Sequence, residues 1–232
     1  MNEASGTLVN NAGSVTGNAS LGTAADSVLE QNLTYAQTGK IGNSISFNGT
    51  TSSSRVDIGT SLSQFNFIHQ LNGVASFNFW YKKTAVDTSF RTIWASHYGL
   101  ANQRGLRLGF TGTNGIQFLI QNISASSILI DSTAGFTAND TNWHMFTATW
   151  DLSLTTNTLQ IYHDGILHHQ TNRSLAGENG NSALVPSIGD DKGGDGNWNG
   201  LLDEISVWNR VLTSDDVTSL YNSGSGLDLT TI

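Results

Sequence analysis

The stretch NGLLDEISVWNRVLTSDDVTSLYNSG, residues 199–224, decides the fold because it joins an alternating strand to the one convincing helix signal in the chain. Two-residue alternation puts Leu201, Ile205 and Val207 on one face of that strand, and the same parity places Asp203 among them. A carboxylate is costly to bury unpaired. Asp203 therefore reads as metal-bound, as protonated, as paired with a base such as Arg210, or as reached by water at a sheet edge. Beyond the strand, Thr213 or Ser214 is placed to cap a helix whose first turn holds Asp215 and Asp216 at the positive end of its dipole. Leu212 can staple against Val217, and Gly224 reads as the stop.

Working outward, 232 residues fit a single all-β domain, and 38% hydrophobic content with six Trp and ten Phe can build a core. A net charge of -8 with ten Lys plus Arg argues against nucleic acid, since neutralising phosphates needs clustered bases. The absence of Cys excludes disulfides and thiol chemistry. The opening MNEASGTLVNNAGSVTGNASLG has neither the basic start nor the apolar core of a signal peptide, and no segment is long and apolar enough to insert in a bilayer.

Residues 1–40 are rich in Gly, Ala, Ser, Thr and Asn and read as an extended lead-in packed on the rest of one domain spanning 1–232. From Ile41 onward, short alternating runs are divided by turn residues. In VASFNFWYKK, Ala75, Phe77, Phe79 and Tyr81 share one face, and Trp80 falls opposite, where it reads as covered by a loop or the lead-in. Leu106, Leu108 and Phe110 face Ile116, Phe118 and Ile120 across a TGTNG hairpin turn, and SILID and NWHMFTATW read as further strands. Asp164-Gly165 marks another hairpin. About a dozen strands with one short helix imply a two-sheet antiparallel sandwich.

The pieces GKIGNSISFNGTTSSSRVDIG, ASFNFWYKK, NWHMFTATWD, LQIYHDGIL and the closing strand-helix segment, in that order, resemble a laminin G-like domain of the concanavalin A-like lectin/glucanase superfamily over about residues 38–224. The resemblance implies an all-β jelly-roll sandwich with one short C-terminal helix. It also implies a structural calcium ion held by Asp203, by the Phe47-Asn48-Gly49 turn, with Asn48 and Gly49 as ligands, and by the lead-in near Asn11. Calcium takes six to eight oxygen ligands, which such a set supplies.

Candidate ligand-binding residues are those in or beside loops held by the sandwich: Tyr98, Asn102, Trp198, Asp191 and Asp195. The GDDKGGDGNWNG loop that carries the two aspartates does not make an EF-hand, because its twelfth position counted from Asp191 is Leu202, and it reads as a solvated loop or as a second metal or ligand rim. A retaining glucanase needs two carboxylates about 5 to 5.5 Å apart. The glutamates are Glu3, Glu30, Glu178 and Glu204, none in a Glu-x-Asp-x-Glu strand, so no catalytic residue is assigned. A lyase reading on His97, Tyr98, Arg104 and Arg107 is weakened because His97 and Tyr98, as strand neighbours, face opposite ways. His144 shares parity with Phe146, Ala148 and Trp150 and reads as a hydrogen-bonded interior histidine; His163, His168 and His169 flank the Asp164-Gly165 turn and read as hairpin-surface residues, with a histidine metal site as the alternative.

The expectation is a non-catalytic module that binds carbohydrate or a surface glycoconjugate, stabilised by calcium, in an extracellular or virion-surface protein and adjoining its other domains. A structural or protein-protein spacer is the alternative, and a lyase or glycosidase the least favoured.

Overall fold

The computed structural model describes residues 8–9, 19–20, 33–49, 54–58, 61–86, 88–97, 103–111, 115–121, 123, 140–156, 158–172, 179–193 and 196–229. In chain order the strands are β1 (Leu8–Val9), β2 (Ala19–Ser20), β3 (Leu33–Thr38), β4 (Asn43–Asn48), β5 (Val56–Asp57), β6 (Val74–Lys83), β7 (Arg91–Ala95), β8 (Gly105–Phe110), β9 (Ile116–Gln121), β10 (His144–Asp151), β11 (Leu159–His163), β12 (Ile166–Thr171), β13 (Ser187–Ile188) and β14 (Asn199–Trp208). Among the described residues one α-helix, α1 (Ser214–Tyr221), follows, with short 3-10 turns at Asn66–Ile68 and Asn222–Gly224. Among the described residues no helix is long and apolar enough to cross a membrane.

The strands form two seven-stranded antiparallel sheets. The front sheet runs β1-β2-β5-β13-β7-β8-β9 and the back sheet β12-β11-β10-β6-β14-β4-β3. Consecutive strands pair as hairpins at the ends of these orders, whereas the central pairs β5-β13, β13-β7, β6-β14 and β14-β4 join strands far apart in sequence, as in a jelly-roll. Of the stretch read as a lead-in, residues 33–38 form a strand paired with β4, interrupted by a bulge between Thr34 and Gln37 where Ala36 has φ 51°. The strand expected at SILID lies outside the described residues.

The core between the sheets follows the alternation closely. Ala75, Phe77, Phe79 and Tyr81 meet Leu106, Leu108, Phe110, Ile116, Phe118 and Ile120 in one cluster, with Trp94 edge-on to Phe77 at 5.1 Å between ring centroids. Burying each such ring contributes about 2–3 kcal/mol.

A second, smaller cluster lies on the outer face of the back sheet, where Trp80, Met145 and Tyr162 are covered by Leu212, Val217 and Leu220. Trp80 stacks on Tyr221 at 5.7 Å and 15°, and the Lys40 ammonium lies 4.8 Å from its ring centroid, so α1 and the end of the lead-in together cover it. Thr213 caps that helix in a full capping box with Asp216, whose carboxylate accepts from the Thr213 backbone N–H and pairs with Arg210 at 2.8 Å. The stop is Asn222, in the left-handed region at φ 47°, two residues before the expected Gly224.

Candidate functional site

Strand β14 does not keep one phase. Asp203 pairs with Trp80 and Ser206 with Asn78, so two residues of β14 oppose one of β6 in a β-bulge, with Glu204 at φ 47°. The bulge flips the parity: Leu202 before it and Ile205 and Val207 after it all face the core. Asp203 therefore points to the opposite face from Ile205 and Val207, a correction to simple alternation.

Asp203 is nonetheless fully buried, at 0% exposure. Its Oδ2 accepts hydrogen bonds from the backbone N–H of Lys40 (2.8 Å) and Ile41 (2.9 Å), and its Oδ1 accepts from Glu204 N–H (2.9 Å). Burial raises its pKa, opposed by these amide bonds. The expected partner Arg210 is engaged with Asp216 instead. Burial likewise raises Glu204.

The residues expected to share a calcium ion are not brought together. Asn48 pairs with Asn199, four positions along β14 from Asp203, roughly 13 Å away at 3.3 Å per residue. The Gly49 carbonyl accepts from the Arg91 guanidinium at 3.4 Å, and N–H donors already occupy lone pairs on both Asp203 oxygens. Asn11 lies outside the described residues.

The expected ligand rim is also redistributed. Tyr98, Asn102 and Asp195 lie outside the described residues. Trp198 is 0% exposed and packs between Tyr81 and Phe110 in the core, so it is not a rim residue. Asp191 is 2% exposed and ion-pairs with Arg107 at 3.0 Å, so the start of its loop is no solvated segment. His97 is fully buried, and burial pushes its pKa down to about 4, which removes it as an accessible base.

The most distinctive polar arrangement is the outer face of the front sheet. Leu106, Leu108 and Phe110 turn inward, so Gly105, Arg107 and Gly109 turn outward, registered against Gln121, Leu119 and Gln117. A Cβ on Gly109 would lie 2.7 Å from the Phe90 ring, and one on Gly196 would lie 2.6 Å from it, so the two glycines make room for a half-buried Phe90. The Arg107 guanidinium sits 4.3 Å above that ring while bonding Asp191. Farther across the sheet, Asp57 bonds Lys192 at 2.8 Å and Arg55 at 3.3 Å, and Arg55 lies 3.9 Å from buried Asp190.

This face offers an aromatic surface, paired charges and amides held on rigid strands, the chemistry that reads hydroxylated ligands. Phe90 escaped sequence reading because it precedes its strand in a polar loop. The outward glycines of RGLRLGF are the signal that something packs there.

A family profile described as the concanavalin A-like lectin/glucanases superfamily matches residues 48–218. A search of curated protein sequences finds no match. Among solved structures, domain 4 of AbnA, a GH43 extracellular arabinanase from Geobacillus stearothermophilus in complex with arabinotriose, is similar with a TM-score of 0.57 and 17% identity, over 84% of this chain and 81% of that one. The Ruminococcus gnavus IT-sialidase CBM40 bound to alpha2,3 sialyllactose is similar with a TM-score of 0.58 and 13% identity, over 79% and 96%. The binding domain of Paraclostridial Mosquitocidal Protein 1 has a TM-score of 0.61 and 16% identity, over 83% of this chain and 46% of that one.

Proposed function

The chain belongs to the concanavalin A-like lectin/glucanases superfamily, and from that premise we propose that it is a non-catalytic module that binds carbohydrate or a surface glycoconjugate. The observation that carries this reading is Phe90, held half-exposed on the outer face of the front sheet by Gly109 and Gly196 and topped by Arg107. The part of the ring that Arg107 leaves exposed takes the apolar face of a pyranose or furanose, while the partly exposed Arg107 and Gln117 supply donors and acceptors for its hydroxyls. Two of the similar structures are described with oligosaccharides bound, which supports the ligand class. A setting outside the cell or on a surface follows from that class of ligand, with other domains of the same protein as neighbours.

The test is a glycan array probed with the full chain, followed by calorimetry on the best ligand. Binding that falls at least tenfold in Phe90→Ala, with an unchanged melting curve, supports the reading. An array without signal, or affinity indifferent to Phe90→Ala, overturns it in favour of a spacer or protein-binding role. Release of sugar product would overturn the non-catalytic part.

A further inference from the structure

At one end of the core-facing side of the back sheet, an apolar register gives way to polar groups. His144, the first residue of β10, lies directly across from Tyr81, and His163 ends β11 immediately before the Asp164-Gly165 turn. The two imidazoles stack at 4.8 Å between centroids above the Tyr81 ring. Asp164 Oδ2 lies 2.8 Å from His144 Nδ1 and 3.8 Å from His163 Nδ1. The other nitrogen of each ring is also held: His144 Nε2 by Asp140 Oδ1 at 3.0 Å, and His163 Nε2 by the Tyr81 hydroxyl at 3.2 Å.

We propose that His144 Nδ1, His163 Nδ1 and Asp164 Oδ2 form a binding site for a divalent transition metal such as zinc. Zinc bonds imidazole nitrogen and carboxylate oxygen at about 2.0–2.2 Å, so two ligand atoms on a tetrahedral ion lie roughly 3.3 Å apart. The separations of 2.8 and 3.8 Å bracket that value, and one ligand atom from each of the three side chains lies within 4.8 Å of the other two.

The outer contacts strengthen the case. Metal-bound histidines are characteristically fixed through their second nitrogen by a carboxylate or another polar group, which sets the tautomer and the ring orientation. Asp140 and Tyr81 stand in those positions. Two imidazoles with a carboxylate suit zinc, cobalt and nickel better than calcium or magnesium, which prefer all-oxygen shells. Asp164 has its Oδ1 anchored by the Met145 N–H at 2.9 Å, leaving Oδ2 for the ion. Among the described residues, no Lys or Arg ion-pairs with Asp140 or Asp164, so a dication would meet carboxylates whose ion-pair partners are imidazoles alone, beside the Met145 and Asn142 amides. Asp164 is 26% and Asp140 44% exposed, so an ion has access from solvent. On binding, the proton on His144 Nδ1 that now bridges to Asp164 is released to solvent, and the fourth position falls to water.

The experiment is titration of the metal-stripped full chain with zinc chloride by calorimetry and with cobalt chloride by visible absorption. Expected are one saturable site per chain, the intense ligand-field bands of tetrahedral cobalt, and a rise in melting temperature with zinc. His163→Gln and Asp164→Asn should each weaken zinc at least tenfold, Asn being tolerated at the left-handed turn position of Asp164. Asp140→Asn, which does not touch the ion, should weaken it by about 10–100-fold. The double variant His168→Gln/His169→Gln, on the exposed part of β12, should leave affinity unchanged. Absence of a saturable site, or a site lost only in the His168/His169 variant, overturns the proposal. If His163→Gln fails to fold, an Asp164→Asn protein with wild-type circular dichroism and wild-type zinc affinity overturns it equally.

Discussion

Asp203 and Ile41, 162 residues apart in sequence, are joined by a 2.9 Å hydrogen bond from the Ile41 backbone N–H to Asp203 Oδ2. With the Lys40 amide beside it, this bond fastens the turn between β3 and β4 to the bulge of β14. Replacing Asp203 by Ala leaves three amides without their acceptor, at about 1–3 kcal/mol for each one that water does not reach. Asp203→Ala is therefore expected to destabilise by about 2–4 kcal/mol in urea melts, and Asp203→Asn by less, since its carbonyl still accepts. A carboxylate acting through amides gives these losses equally in EDTA and in calcium. A chelator-sensitive melt that disappears in Asp203→Ala would instead assign the residue to calcium.

The cap of α1 is testable in isolation. Thr213 Oγ1 accepts from the Asp216 N–H, and Asp216 accepts in return from the Thr213 N–H. Thr213→Ala should cost about 1 kcal/mol. For a domain of this size that lowers the melting temperature by about 2–4 °C. Asp216 has its pKa lowered, first by Arg210 and then by the Thr213 amide, so the stability it contributes is present above the ordinary carboxylate range and is lost as pH falls through its folded value. Asp216→Asn should flatten the acid limb of the stability curve.

Asp190 behaves in the opposite sense. Burial, and then the neighbouring Asp191 charge, push its carboxyl from 3.8 up to about 6. Between these values the folded chain holds a proton that the unfolded chain has released. Stability therefore falls as pH rises from about 4 to about 6 and is level beyond. At about 1.4 kcal/mol per pKa unit the full effect is at most about 3 kcal/mol. Arg55, Asp57, Asp191 and Lys192 surround the group and keep their own pairings. Urea melts at successive pH values should show the decline in the wild type and its loss in Asp190→Asn; parallel curves would remove Asp190 as the cause.

Gly196 packs directly against Phe90, the ring at the centre of the proposed binding face. The glycine has φ 74°, and a Cβ there would lie 2.6 Å from Phe90. Gly196→Ala should cost about 1 kcal/mol for the left-handed backbone and displace the ring. Glycan affinity should fall severalfold while the fold persists; unchanged affinity would place the ligand elsewhere.

Alternation in VASFNFWYKK, RGLRLGF and GIQFLIQN was enough to assign the inward faces of β6, β8 and β9, because each strand keeps one phase and burying the apolar side dominates. The same rule failed on β14, where Leu201 and Leu202 offer either phase and only pairing with β6 reveals that two residues stand against one. Local features, such as a helix start at Thr213 or Ser214 with Asp215 and Asp216 in its first turn, were legible from spacing, though not the Thr213–Asp216 pairing. Side chains whose partners come from remote strands were not: Asp203 finds its donors in the turn between β3 and β4, Trp198 its place between Tyr81 and Phe110, and Phe90 its seat on Gly109 and Gly196. Sequence by itself determined a two-sheet sandwich with an end helix, since periodicity and capping act over a few residues. Tertiary structure alone decided which polar groups meet, because a jelly-roll pairs strands in an order the chain does not follow.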